Sequence, residues 1–149
     1  MSDGAVLRLP VKRLDEGAHL PTYAHSGDAG LDLCCLDDHI LQPFERALIP
    51  TGLAIAIEPG YAGLVVPRSG RAIKDGLSLV NTPGLIDSGY RGEVKVAAIN
   101  LDPDTPIQLY AGDRIAQLVI VPFSTATLTE VDEFDLTERN AGGFGSSGG

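Results

Sequence analysis

"NTPGLIDSGYRGEVKVAAIN", residues 81–100, is the stretch on which the fold turns. Its end, Glu93–Asn100, is an alternating run of the kind that makes a half-buried strand. A shorter apolar run precedes it, and Asp-Ser-Gly-Tyr-Arg-Gly stands between the two. Two strands joined as a hairpin is the direct reading, with Asp87 and the glycines serving the turn. Tyr90 falls outside that explanation, because a turn needs no aromatic there. Asp87, three residues before the ring, offers a base beside a stacking surface, so both readings are open at this point.

Outward from this stretch the chain keeps the same texture. Its 18 glycines and 10 prolines are spread throughout, which cuts the sequence into short pieces and excludes long helices. The pieces "AVLRLPV", "GLDLCCL", "RALIPTG", "LAIAIEP", "YAGLVVP", "LSLVN", "TPIQLY" and "RIAQLVIVPF" are short apolar or alternating runs bounded by turn residues. Their spacing is close to the ~8–12 residues of sandwiches and jelly rolls. One short helix is expected over "SGRAIKDG", with Ser69 as N-cap and Gly76 as its stop. There is no internal repeat. From about Glu130 the chain turns acidic and then glycine-rich, which marks an arm leaving the domain. The expected division is a β domain over residues 1–132 and an arm over 133–149.

Acidic residues number 20 against 11 basic ones, a net charge of -9. That argues against gripping a long nucleic acid through a general basic surface, so no stable nucleic-acid binding is expected. A small anion held by local arginines or a metal stays open. Hydrophobic residues make up 44% of the chain, enough for a globular core. No run approaches the roughly 20 apolar residues that span a bilayer. The opening "MSDGAVLRLPVKRL" lacks the apolar core of a secretory signal, so no membrane and a cytoplasmic location are expected. Cys34 and Cys35 are adjacent, and neighbours rarely suit disulfide geometry. They read as free packing thiols, with no zinc site.

Four stretches carry the chemistry. In "SGDAGLDLCC", alternation points Asp32 away from Leu31 and Leu33, either as a solvated charge or as a ligand to a hydrated metal; taken alone, the solvated charge is favoured. In "VVPRSGRAIKDG", Arg68, Ser69 and Gly70 open the short helix, and a guanidinium, a hydroxyl and free N–H groups make either an anion site or a plain capping turn. The third stretch is the Asp87–Tyr90 connection. The fourth is "RNAGGFGSSGG", where Arg139 and Phe144 do not suit a bare spacer.

Together these stretches resemble the trimeric dUTPases, deoxyuridine triphosphate nucleotidohydrolases. The family's five short motifs appear in order as "AGLDLCC" (29–35), "PRSG" (67–70), "NTPGLIDSGYRGEVKVAAIN" (81–100), "RIAQLVI" (114–120) and "RNAGGFGSSG" (139–148). The resemblance implies an all-β, distorted jelly-roll barrel or sandwich with one short helix and a flexible C-terminal arm. It implies hydrolysis of dUTP to dUMP and pyrophosphate with Mg2+, which lowers dUTP and supplies dUMP for dTTP synthesis.

By the same resemblance Asp87 activates the attacking water, and Tyr90 packs on the deoxyribose where a 2'-hydroxyl would clash. Asn81 and backbone near Gly84 and Leu85 meet the uracil edge; Lys95 lies on the returning strand without an assigned step. Arg68, Ser69, Gly70 and Gln117 hold phosphates, and Asp32 holds Mg2+ through a water. Arg139 pairs with the γ-phosphate, Phe144 stacks over uracil, and Gly145, Ser146 and Ser147 line the phosphate chain. Many members have glycine where Asn140 stands; Asn tolerates left-handed backbone, so the arm is expected to close. Ordering the last residues of the arm costs on the order of 10 kcal/mol at ~1–2 per residue, so closure is expected only with ligand. Val131 to Phe144 reaches up to about 45 Å extended, far enough to cross to a neighbour in a homotrimer with shared sites.

Two alternatives stand beside this. A dCTP deaminase shares the fold and would use a glutamate on the strand after the hairpin, near Glu93. A non-catalytic nucleotide-binding protein on the same scaffold would have lost the base while keeping the phosphate loop.

Overall fold

The computed structural model describes residues 6–148; the expected domain's first five residues and the arm's Gly149 lie outside the described residues. Among the described residues, eleven strands and one helix fill the order β1 to β11 with α1 after β6. One sheet runs β1 (Val11–Arg13), β5 (Arg46–Ile55), β9 (Glu93–Asn100), β7 (Leu77–Leu79). A second runs β2 (Thr22–Tyr23), β3 (Leu31–Cys34), β11 (Arg114–Pro122), β6 (Tyr61–Val66), β8 (Gly84–Ile86). A two-stranded ribbon pairs β10 (Ile107–Leu109) with β4 (His39–Leu41). Every pairing is antiparallel.

The core lies between the sheets. Strand β9 shows why: Val94, Val96, Ala98 and Asn100 are buried, while Glu93, Lys95, Ala97 and Ile99 are not. Facing them, Leu33, Leu118, Val65 and Ile86 come from the second sheet, and Leu41, Ile107 and Leu109 from the ribbon. Asn100 ends the inward row without cost to the core. Its amide donates to the carbonyls of Leu41 and Thr105 at 3.0 and 2.9 Å, and its oxygen accepts from the Asp102 N–H at 2.8 Å, so this buried polar group is satisfied. The result is the expected jelly-roll-like all-β architecture, with sheets that stay open.

Local structure departs from the expected detail at several points. The strands flanking Asp87–Gly92 do not form a hairpin: β8 pairs with β6, while β9 pairs with β5 and β7. The connection crosses from one sheet to the other, because Ile86 and Val94 reach the same core from opposite sides. "RALIPTG" and "LAIAIEP" form one strand, β5, with a bulge between Pro50 and Ala54. Gly52 adopts φ 73° there, and its freed N–H donates to Glu93 Oε2 at 3.0 Å. Thr51 Oγ1 donates to the Val94 carbonyl at 2.5 Å across the same bulge.

Helix α1 spans Ser69–Asp75, so its N-cap is Arg68 and Ser69 is already helical, with no side-chain cap bond. Gly76 stops it as expected, at φ 75° with its N–H returned to Ala72 and Arg71 carbonyls. The Arg71 side chain pairs with Asp75 within the helix at 2.5 Å and approaches Asp113, just before β11, at 4.0 Å.

Candidate active site

Register brings the first group of side chains together. Across the second sheet, Thr22 stands opposite Asp32, Asp32 opposite Gln117, and Gln117 opposite Val66. Directly opposed residues share a face, so Asp32 and Gln117 stand side by side on the outer surface. Arg68 follows β6 at the end of that row. Gly30 leaves room for Gln117: an added Cβ would stand 3.1 Å from the Gln117 amide carbon.

Asp32 is not the solvated charge that its outward position favours. Only 3% of it is exposed, because Arg68 and Arg114 close over it, with Arg68 Nε 3.1 Å from Oδ1 and Arg114 Nη1 3.7 Å from Oδ2. The Arg68 approach is an ion pair whose angle falls outside a hydrogen bond. Both Asp32 oxygens and Arg68 Nε therefore lack hydrogen-bond partners among the described residues. A buried carboxylate with two free acceptor oxygens suits the waters of a hydrated hard cation. No group of three or more metal-ligating side chains exists among the described residues, so such a cation would need ligand oxygens to complete its shell.

The connection between β8 and β9 builds the second group. Leu85, Asp87, Tyr90, Glu93 and Lys95 line one cleft of about 290 Å3, with Leu48 from β5 on its wall. The Tyr90 N–H donates to the Asp87 carbonyl at 3.1 Å, which closes the turn. Tyr90 Oη donates to the Glu93 carbonyl at 2.8 Å, which fixes the ring beside the carboxylate. At the entry to β8, an added Cβ on Gly84 would stand 3.3 Å from the Asn81 side-chain amide, so Asn81 lies over Gly84. Glu93 has a structural partner: its carboxylate accepts from Gly52 at the bulge. Arg68, Ser69, Gly70, Gln117 and Asp32 contribute nothing to this cleft's lining, so the two groups are separate within one protomer.

The third group is the arm. Residues 123–148 carry no helix or strand and are almost wholly exposed. Arg139 Nε donates to the Gly142 carbonyl at 2.7 Å, and Thr137 and Asn140 bond one another. Asn140 sits at φ 45°, a left-handed conformation that Asn tolerates better than most residues. Phe144 is fully exposed at φ 47°, and Gly145, Ser146 and Ser147 are exposed beside it. The arm residues make none of the side-chain hydrogen bonds or ion pairs of the other two groups.

Arg114 and Leu48 escaped sequence reasoning. Arg114 reaches Asp32 because β11 pairs with β3, opposite Cys34, and nothing local to "DRIAQ" reveals that register. The two cysteines are free, and burial pushes both thiols above the ordinary value, as suits packing residues. Cys35 Sγ donates to the Tyr110 carbonyl at 2.9 Å.

The dUTPase family matches residues 16–148. A deoxyuridine 5'-triphosphate nucleotidohydrolase of Nocardia farcinica is 55% identical over 97% of this chain and 88% of its own length. The dUTPase of Staphylococcus bacteriophage 80alpha, solved with dUPNHPP, superposes with a TM-score of 0.90 at 35% identity, covering 96% of this chain and 99% of that one. A mutant dUTPase from phage phi11 of S. aureus, described as coordinating a structural Mg(II) ion, gives 0.81 at 32% identity, covering 87% of this chain and 100% of that one. With that extent of agreement in sequence and in fold, the chain belongs to the dUTPase family.

Proposed function

We propose that this chain hydrolyses dUTP to dUMP and pyrophosphate, and so lowers dUTP while supplying dUMP. The observation that carries the proposal is Asp87 beside Tyr90 on the wall of one cleft, in a chain that the dUTPase family matches from residue 16 to 148. Asp87 takes a proton from water as its oxygen attacks the α-phosphorus. The bond from that phosphorus to the bridging oxygen breaks, and pyrophosphate leaves with the electron pair. A carboxylate does this work when it holds the water within hydrogen-bond reach.

Tyr90 stands where a 2'-hydroxyl would have to fit, so it selects deoxyribose by exclusion. Asn81, with backbone at Gly84 and Leu85, reads the uracil edge. Cytosine would put a donor against donors there, at about 1–3 kcal/mol for each unpaired group. Lys95 contributes positive charge to the same cleft. Arg68, Ser69, Gly70 and Gln117 take the phosphates, and space stands open around Gly70. Mg2+, when bound with the nucleotide, supplies charge neutralisation for the phosphates; Asp32 would hold it through water with its two unpartnered oxygens.

The separation of the cleft from the phosphate-binding group favours a homotrimer whose sites draw on different protomers. Arg139, Phe144, Gly145, Ser146 and Ser147 then close over the nucleotide from a further protomer. The deaminase alternative is not favoured: the matched relatives are dUTPases, and the Glu93 carboxylate is engaged by Gly52. The non-catalytic alternative expects loss of the base, and Asp87 is present.

The test is pyrophosphate release with Mg2+ from dUTP against dTTP, dCTP and UTP. Release from dUTP alone is expected. Ammonia release from dCTP, or no turnover of any nucleotide, would remove the proposal.

A further inference from the structure

Gly92 ends the connection that carries Asp87 and Tyr90, and its backbone lies outside the left-handed region. An L residue therefore fits its conformation. What an L residue does not fit is the space. An added Cβ would stand 2.5 Å from Tyr90 Oη, 2.7 Å from Cζ and 3.0 Å from Cε2, so the ring lies directly against the glycine. Gly89 is the informative contrast. It belongs to the same connection, also outside the left-handed region, and an added Cβ there would meet nothing within 4 Å.

Resting on the role of Tyr90 given above, we propose that Gly92 is a positioning residue that sets how far the Tyr90 ring stands into the cleft, and thereby the discrimination between 2'-deoxy and 2'-hydroxy nucleotides. Two hydrogen bonds brace the strand that follows Gly92. Glu93 is pinned through its carboxylate to the Gly52 N–H at 3.0 Å, and the next carbonyl, of Val94, accepts from Thr51 Oγ1 at 2.5 Å. A methyl group at position 92 is accommodated only if the ring swings away and gives up its hydrogen bond to the Glu93 carbonyl. The ring is the flexible partner, so the substitution acts on its placement and leaves the sheet intact.

The experiment compares the wild type with Gly92→Ala, Gly89→Ala, Tyr90→Ala and the double variant Tyr90→Ala/Gly92→Ala. It measures kcat/KM on dUTP and UTP with Mg2+, and dissociation constants for dUMP and UMP by calorimetry. Gly92→Ala is expected to lower the dUTP:UTP ratio by about tenfold or more, with a parallel loss in the dUMP:UMP binding ratio. Gly89→Ala is expected to keep both ratios. In the Tyr90→Ala background, Gly92→Ala is expected to change them by less than about twofold, because the group it displaces is gone. A wild-type ratio in Gly92→Ala overturns the inference alone. A wild-type ratio in Tyr90→Ala overturns the role of Tyr90 in sugar selection as well. If Gly92→Ala does not fold, folding restored in the double variant supports the contact, and failure of both variants overturns it.

Discussion

Replacing Arg68 with Met isolates the energetics of the Asp32 carboxylate. In the folded protein Asp32 is only 3% exposed, beneath Arg68 and Arg114. Arg68→Met removes the cation 3.1 Å from Oδ1 and leaves Arg114 3.7 Å from Oδ2 on a side chain that is 53% exposed. Breaking a fully buried pair costs about 3–5 kcal/mol through the orphaned charge. Arg68 is itself 28% exposed and Arg114 remains, so the expected loss is about 2 kcal/mol. That corresponds to roughly 4–8 °C in Tm for a chain of this size.

The opposite deletion, Asp32→Leu, leaves a guanidinium that can reach solvent, and is expected to cost less than about 1 kcal/mol. The double variant Arg68→Met/Asp32→Leu should be more stable than Arg68→Met alone, because the trapped charge is gone. Urea denaturation followed by circular dichroism, at one fixed protein concentration, measures all four proteins. Equal losses in the two single variants, or a double variant whose loss is their sum, would refute the account of a trapped carboxylate.

Three further outcomes are expected. Asp87→Asn keeps nucleotide binding by calorimetry and loses turnover by about 100-fold or more in a pyrophosphate-release assay, the scale of general-base catalysis; near-normal turnover would take Asp87 out of that role. Deleting residues 139–149 leaves Tm within about 2 °C, since the hydrogen bonds of Thr137–Gly148 stay inside the arm, while dUTP turnover falls steeply; full turnover would exclude the arm from catalysis. Gly76→Ala destabilises by about 2–4 kcal/mol in the same denaturation experiment, because φ is 75° and the new Cβ would stand 2.8 Å from the Asp102 backbone N.

What the sequence could carry was local. Gly76 stops α1 because a left-handed residue is needed at that one position, and glycine names itself. The alternation in Glu93–Asn100 survives into the burial pattern because the core takes one face of the strand. Non-local pairing was illegible. Residues 84–86 and 93–100 look like hairpin partners in sequence, yet each strand finds better-matched neighbours in its own sheet. Strand β2 has two residues and β4 three, too short for any period to show. The burial of Asp32 had the same origin: alternation put it correctly on the outer face, but the arginines that cover it come from positions 68 and 114. Motif order survived because it is a property of the chain, whereas the side-chain row Asp32–Gln117–Val66 is a property of register.

The arm shows how composition can name a task without naming the surface. Leu128, Phe134, Leu136 and Phe144 are each at least 90% exposed, and the neighbouring residues are mostly acidic or glycine. A spacer has no use for four large apolar side chains. Each offers about 1.5–3 kcal/mol when buried, against about 1–2 kcal/mol per residue for fixing the backbone. Only four of the seventeen residues 128–144 carry such a side chain, so their burial falls well short of the ordering cost and further contacts are needed to hold the arm down. In the closure proposed above, Phe144 would supply one such contact to the base and Arg139 another to a phosphate. That proposal ties closure to the complete nucleotide, so a nucleotide lacking the terminal phosphate is expected to order the arm less than dUTP does, as limited proteolysis of the arm with each ligand would show.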